Sequence, residues 1–222
     1  MAHSSIVIGF GGGWGDAVLQ FWLSGGVLLI PLAILCVLIW QRYFQARAEF
    51  RDALAAPESF AADFERRWEQ GMQWGGIDQW LRTVPGAVAT HTRNILLLYR
   101  RTGTMDSAVA HSRVQLADLE GRSFVGLAAL VAAAPLIGLL GTILGMIETF
   151  QGVSLRSGQT AELVASGISK ALITTQVGLV VALPGTFGIA HLYRLRKTLS
   201  NRLDLMETQL RILVRSPLAR GE

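Results

Sequence analysis

Four polar residues, Lys170, Thr174, Thr175 and Gln176, interrupt an apolar stretch long enough to cross a lipid bilayer. A threonine hydroxyl in such a place can bond to a carbonyl of its own helix or can line a polar path. The Gln176 amide and the Lys170 ammonium are harder to accommodate, because a charge at bilayer depth costs roughly 2.5–3.5 kcal/mol. Either the Lys170 side chain extends to the outer face of the bilayer that this helix crosses, or these residues face a polar interior between helices.

The preceding apolar stretch carries Thr142 near its middle and Glu148 close to its end. A proton relay through a membrane needs a titratable group, and no Asp, Glu or His lies near the middle of any apolar stretch. The sequence therefore predicts a polar path whose titratable group comes from another chain.

The composition excludes an ordinary water-soluble protein. Of 222 residues, 51% are hydrophobic and 16% are charged, with 24 glycines and 6 prolines. The formal net charge of +4 does not indicate a nucleic-acid partner, because the Arg residues concentrate just beyond the apolar stretches, as in membrane proteins. The single Cys36 cannot form an internal disulfide.

Three apolar stretches predict an all-α, polytopic membrane protein whose long helices extend into the cytoplasm. Because Arg and Lys cluster after the first and third stretches, we expect the N-terminus outside and the C-terminus in the cytoplasm. The expected order is a periplasmic segment at 1–20, transmembrane helices at 21–40, 124–150 and 163–193, a cytoplasmic helical loop at 41–123, a short periplasmic loop at 151–162, and a cytoplasmic tail at 194–222.

Small residues form a stripe along each of the last two predicted transmembrane helices. Such stripes let helix backbones approach closely, either within one chain or between copies of it. Three helices of one chain seldom cover two such small-residue faces by themselves, so the stripes favour oligomerisation. The residues predicted to pack helices are Gly138, Gly141, Gly145, Gly167, Gly178 and Pro184.

Two long motifs, "APLIGLLGTILGMIETF" (134–150) and "GISKALITTQVGLVVALPG" (167–185), resemble the MotA/TolQ/ExbB proton-channel family, most closely its ExbB branch. The resemblance implies an inner-membrane homopentamer around the helices of an ExbD-like single-span partner, which supplies a membrane-embedded aspartate. Proton flow would move the helices of this partner, and a TonB-like protein would receive that motion. By position, Thr142 and Thr175 match the family's pore-lining threonines, and Thr174 is an adjacent hydroxyl.

Lys170 departs from the family pattern, because many relatives carry Glu immediately before the "AL" of the second motif. We hypothesise that Lys170 faces the pore or a subunit seam and pairs there with an acid. Gln176 and Glu148 are further candidates for the pore or the seam.

Several alternatives stay open from the sequence. A TolQ-like subunit for envelope integrity would have a similar proton path, and a non-conducting membrane scaffold would use the same threonines for packing alone. A flagellar MotA-like stator fits less well, because that layout has four spans. No catalytic residues, cofactor or metal are expected, since the histidines are scattered and no HExxH or membrane Ser/His pair occurs.

Overall fold

The structure is a computed structural model that describes residues 27–155 and 160–215. The predicted N-terminal segment 1–20, the first six residues of the first predicted span, residues 156–159 and the tail from 216 lie outside the described residues. The described part contains six helices and no strand, which confirms the all-α prediction. The helices are α1 (Leu29–Ala53), α2 (Phe60–Glu69), α3 (Trp74–Thr83), α4 (Ala87–Thr102), α5 (Met105–Leu155) and α6 (Thr160–Arg215).

Three of these helices have the length and apolar composition to cross a membrane, as the sequence predicts. The apolar regions lie within Leu29–Ala53, Phe124–Ser154 and Val164–Arg215. At 1.5 Å per residue, about 20 residues cross the hydrocarbon core, so all three helices are longer than a membrane crossing requires. The 51 residues of α5 and the 56 of α6 include long segments of mixed polarity beyond the apolar region.

The chain divides into two compact units. The first, called here the membrane unit, consists of Met1–Ile39 and Ala129–Gly185, and the second unit consists of Trp40–Ala128 and Thr186–Glu222. In the membrane unit, α1 buries an apolar face at helical spacing and leaves Ile30, Ile34 and Val37 exposed. The buried residues of that face are Leu29, Leu32, Leu35 and Ile39.

In the second unit, short helices pack through large aromatic side chains. Phe60 stacks on Trp80 with ring centroids 5.5 Å apart, and Phe64 lies 5.9 Å from Trp68. Phe64 is 1% exposed and forms part of the core of this unit. Such rings contribute large buried areas and defined geometry, which suits a compact helical core.

Glycines set two of the connections in the second unit. Gly103 ends α4 in the left-handed conformation (φ 71°) and donates its backbone N–H to the Tyr99 carbonyl at 2.8 Å. Gly86 precedes α4 with φ 105°, and a Cβ there would lie 2.8 Å from the backbone nitrogen of Ala56. Only glycine satisfies both the conformation and the space at this position.

Candidate functional site

A seam of small residues joins the apolar parts of α5 and α6. A Cβ added at Gly178 would lie 2.8 Å from the Ala134 carbonyl oxygen, and one at Gly138 would lie 3.1 Å from the Thr174 carbonyl oxygen. Gly145 faces Ala171 at a similar distance. The backbones of the two helices are therefore in direct contact, as expected for small-residue stripes in membrane helices.

Threonine side chains occupy the seam where glycines leave room for them. Gly141 faces the side chain of Thr174, and Gly167 faces that of Thr149. Thr174 is 2% exposed and donates its hydroxyl to the Ala171 carbonyl at 2.8 Å. In the single chain, Thr174 therefore packs between helices and presents little surface to a path.

Thr142 and Thr175 lie beside the seam and are half-buried. The Thr142 hydroxyl donates to the Leu139 carbonyl at 2.7 Å, within its own helix. The Thr175 hydroxyl donates across the seam to the Gly138 carbonyl of α5 at 3.2 Å. The oxygen of each hydroxyl keeps a lone pair that can accept a further hydrogen bond.

Lys170 has an acidic partner within the same chain. Its Nζ atom donates to Glu148 Oε2 at 2.6 Å, joining α6 to α5. The side chains are 35% and 62% exposed, respectively. The sequence marks both residues as candidates and pairs Lys170 with an acid, but spacing alone does not show that the acid is Glu148, which is 22 residues away.

The remaining predicted residues lie elsewhere on α6. Gln176 is exposed and shares a face with Leu172, Leu179 and Leu183, which are 51–59% exposed. Pro184 lies inside α6, where it removes one backbone donor without ending the helix. The structure thus pairs Lys170 with Glu148 and places Thr175 against Gly138, while Gln176 lies on the exposed leucine face of α6.

A second polar cluster, in the second unit, has no counterpart in the sequence predictions. His91 Nε2 lies 2.8 Å from Glu207 Oε1, and Ser112 Oγ lies 2.8 Å from His91 Nδ1. Arg113 donates to both carboxylate oxygens of Glu207, from Nε at 2.9 Å and from Nη2 at 2.8 Å, and also pairs with Asp204. Helical periodicity within one segment cannot pair residues more than 90 positions apart, such as Arg113 and Glu207.

The protonation of this cluster follows from its hydrogen bonds. An ionised carboxylate can only accept, so neutral His91 carries its proton on Nε2 and accepts the Ser112 hydroxyl at Nδ1. Burial lowers the pKa of His91, although the Glu207 carboxylate opposes that effect. The hydrogen bond to Glu207 raises the pKa of Arg113, which keeps this cation charged.

The cluster contains the residue types of a hydrolytic triad, but its burial argues for a structural role. Ser112 and His91 are 1% and 2% exposed, so a substrate cannot reach the hydroxyl in this structure. The same part of the chain has a cleft of about 750 Å³ whose lining includes Trp68, Trp74 and Arg100 but none of the cluster's residues.

Comparison with known proteins finds a family match over part of the chain that includes α5 and most of α6. Residues 103–205, which include Thr142, Glu148, Lys170 and Thr175, match the MotA/TolQ/ExbB proton channel family. The chain is 46% identical over 56 residues to "Biopolymer transport protein exbB1" of Vibrio cholerae, covering 25% of each protein. It is 28% identical over 189 residues to "Putative biopolymer transport protein ExbB-like 1" of Synechocystis, covering 75% of this chain and 66% of the relative.

A third relative carries a different name within the same family. The chain is 37% identical over 82 residues to "Tol-Pal system protein TolQ" of Haemophilus influenzae, covering 37% of this chain and 36% of the relative. The chain spans between 25% and 66% of the length of these three relatives. The matched family is a transport family and not an enzyme family.

Three helices of the described chain are long and apolar enough to cross a membrane, and the apolar parts of the last two lie within the residues that match this family. The match to the MotA/TolQ/ExbB proton channel family spans α5 and the larger part of α6.

Proposed function

We propose that this chain is the channel-forming subunit of an ExbB-like complex that couples the proton motive force to uptake across the outer membrane. Five copies surround the helices of an ExbD-like single-span partner in the inner membrane. The partner supplies an aspartate at membrane depth, and a TonB-like protein receives the resulting motion. The N-terminus is periplasmic and the C-terminus cytoplasmic.

The position of Thr142 and Thr175 carries this proposal. Both hydroxyls lie beside the same glycine-rich seam, within the segment that matches the family. The close backbone contact at Gly138 and Gly178 fixes the two helices, so the hydroxyl oxygens keep a defined spacing. Two fixed hydroxyls that can still accept hydrogen bonds suit the wall of a narrow proton path.

The distribution of charge supports the need for a partner. Across the described residues of the apolar regions 124–150 and 164–193, the only carboxylate is Glu148, which pairs with Lys170 near one end. Glu148 is paired with the Lys170 ammonium at 2.6 Å near one end of the apolar region, so it does not supply an acidic group in the middle of the membrane. The proposed complex therefore requires the acidic group of the partner.

The exposed face of α6 supports assembly of several copies. Gln176 lies there among Leu172, Leu179 and Leu183, all exposed in the single chain. In lipid, the amide would lose hydrogen bonds to water without replacement, whereas a neighbouring helix can replace them. This face is thus better suited to a second subunit than to hydrocarbon.

Native mass spectrometry of the tagged protein, gently extracted from its own membranes, tests the assembly. We expect five copies of this chain together with a small single-span protein that carries an intramembrane aspartate. A homo-oligomer without such a partner, under conditions shown to preserve other membrane complexes, would instead favour the non-conducting scaffold.

Proton flux into vesicles that contain the complex tests the path. We expect Thr142→Val and Thr175→Val each to lower the flux at least about tenfold, the change that corresponds to losing roughly 1.4 kcal/mol of stabilisation. Thr198→Val is the matched control, because its exposed hydroxyl bonds to the Arg194 carbonyl of its own helix at 3.0 Å in the second unit. Parental flux in both test variants would contradict the proposed path.

A TolQ-like role in envelope integrity is the second candidate. The similarity to the Haemophilus influenzae protein named TolQ favours it, over a stretch of 82 residues. The co-purified partner distinguishes the two roles, because the proton path would be alike in both.

A further inference from the structure

The Glu148–Lys170 pair is the only ion pair between α5 and α6 within their described apolar regions. Glu148 is next to Thr149, and Lys170 is next to Ala171, and both neighbours belong to the buried seam. The pair therefore lies at the edge of the seam, between the Thr149–Gly167 contact and the Gly145–Ala171 contact.

The pair lies on the opposite side of the seam from Thr142 and Thr175. On α5, Glu148 follows Thr142 by six residues, which places them about 120° apart around the helix. The seam residues Gly141 and Gly145 fall between these two directions.

The facing helix shows the same division. Thr175 follows Lys170 by five residues, or about 140°, and the seam residues Ala171 and Thr174 fall between them. Since Lys170 contacts Glu148 and Thr175 contacts Gly138, each helix presents its charge on one side and its threonine on the other.

Each charge makes the other tolerable. A single ammonium or carboxylate near the end of an apolar helix carries a cost that pairing reduces, and removing one partner leaves the other uncompensated. The seam itself consists of small residues, whose contacts are close but short-ranged. A charged pair beside them adds a directional contact that opposes rotation of one helix against the other, in addition to the close backbone packing at the glycines.

We propose that Glu148 and Lys170 are positioning residues, an intrachain clasp that fixes α5 against α6 from the side away from the proton path. The part of this inference that concerns the path rests on the proposed function. The clasp holds Thr142 and Thr175 in place without contacting the ion, and it is electrically neutral. Its orientation is therefore interchangeable: a carboxylate on α6 and an ammonium on α5 would serve equally.

Four variants in the full complex test the clasp: Glu148→Gln, Lys170→Gln, the double neutral variant, and the exchanged pair Glu148→Lys with Lys170→Glu. The heat stability of the purified oligomer is the first measurement. We expect both single variants to lose most of the intact oligomer at a temperature where the parent retains it. The double neutral variant and the exchanged pair should recover a large part of that loss, because neither leaves an unpaired charge. Equal stability of all four variants and the parent would overturn the clasp.

Proton flux per assembled complex, measured across a range of pH, is the second measurement. We expect the exchanged pair to keep the parental flux within about twofold and to keep its pH profile. A titratable or charged group in the path would change both when its sign is reversed. A several-fold change in flux or a displaced pH profile, with assembly intact, would place the pair in the path and contradict the proposal.

The two measurements separate this inference from the proposed function. If the parental complex conducts no protons, the proposed function fails, and with it the statement that the pair lies away from a proton path. The stability of the four variants then still decides whether Glu148 and Lys170 fasten the two helices.

Discussion

In the membrane unit, glycine and alanine faces bring helix backbones into direct contact, whereas in the second unit large aromatic rings and a buried ion network fill the space between helices. Gly178 leaves no room for a Cβ against the Ala134 carbonyl. In the second unit, by contrast, Phe64 contacts both Trp68 and Trp80. Removal of aromatic rings from water favours the packing of helices through large side chains. Helices surrounded by lipid tails gain no such hydrophobic free energy and associate through close packing.

The polar groups of the two regions differ in the same way. In the membrane unit, the Thr142 and Thr174 hydroxyls are satisfied by carbonyls of their own helix. In the second unit, His91, Arg113 and Glu207 satisfy one another across three helices. A membrane helix can thus place hydroxyls with little help from its neighbours, while a buried charge cluster requires several elements to meet.

The largest expected effect tests whether backbone contact holds the membrane unit together. Gly178→Leu would put a side chain within 2.8 Å of the Ala134 carbonyl oxygen and 3.1 Å of Gly138 Cα, neither of which can move independently of its helix. We expect most of the folded, monodisperse protein to be lost on extraction. Gly126→Leu is the control, because nothing lies within 4 Å of a Cβ there. Parental amounts of the Gly178 variant would show that the seam is not close-packed.

The next effect concerns the ion network of the second unit. Glu207 is 8% exposed on its side chain and accepts from His91 and Arg113. We expect Glu207→Gln to destabilise this unit by about 2–4 kcal/mol, because a buried partner of a cation is lost. Denaturant unfolding followed by tryptophan fluorescence measures the change.

The matched control for that substitution is Glu58→Gln. Glu58 pairs with Arg202 at 3.3 Å, but its side chain is 93% exposed. Exposed pairs contribute about 0–1 kcal/mol, so its unfolding midpoint should hardly move. Equal changes in the free energy of unfolding for Glu207→Gln and Glu58→Gln would mean that the buried contacts of Glu207 contribute no more than an exposed ion pair.

A smaller effect depends on pH. Because the pKa of His91 is lowered in the folded protein, the unfolded chain binds the His91 proton more readily as pH falls through about 6.5. Stability contributed by neutral His91 is therefore present above that pH and decreases on acidification. Hydrogen exchange of α4 amides at pH 7.5 and 5.5, expressed as protection factors that correct for the intrinsic exchange rate at each pH, should show lower protection at the lower pH. A His91→Gln variant should lose most of that difference; an unchanged difference would assign it to other groups.

The smallest effect concerns one cation on the aromatic cluster. Arg67 lies 4.8 Å above the Trp80 ring, and its loss in Arg67→Gln should cost about 0.5–1 kcal/mol. The adjacent Arg66 provides the control, because it is 69% exposed and pairs with Asp63 only at 3.8 Å. Arg66→Gln should leave the denaturant midpoint unchanged. An equal change in both variants would show that the ring contact adds nothing.

Some features of this protein follow from the sequence by local physics. An uncharged apolar run of sufficient length predicts a membrane helix, because the hydrocarbon core excludes charges and unpaired backbone groups. This rule does not depend on which other helices lie nearby. The three apolar helices were predictable for this reason, as were the small-residue stripes, because residues three and four apart share a helix face. The long continuation of α6 to Arg215 likewise follows from leucines at helical spacing.

Other features depend on which helix faces which, and only the tertiary structure decides them. The sequence marks Thr174 and Thr175 as adjacent hydroxyls, but contact with α5 buries the first and leaves the second beside the seam. The Glu148–Lys170 pair and the His91–Glu207 contact join residues 22 and 116 positions apart. Spacing along one helix fixes the direction of a side chain but not the group it meets, because that depends on the rotation and register of a second helix.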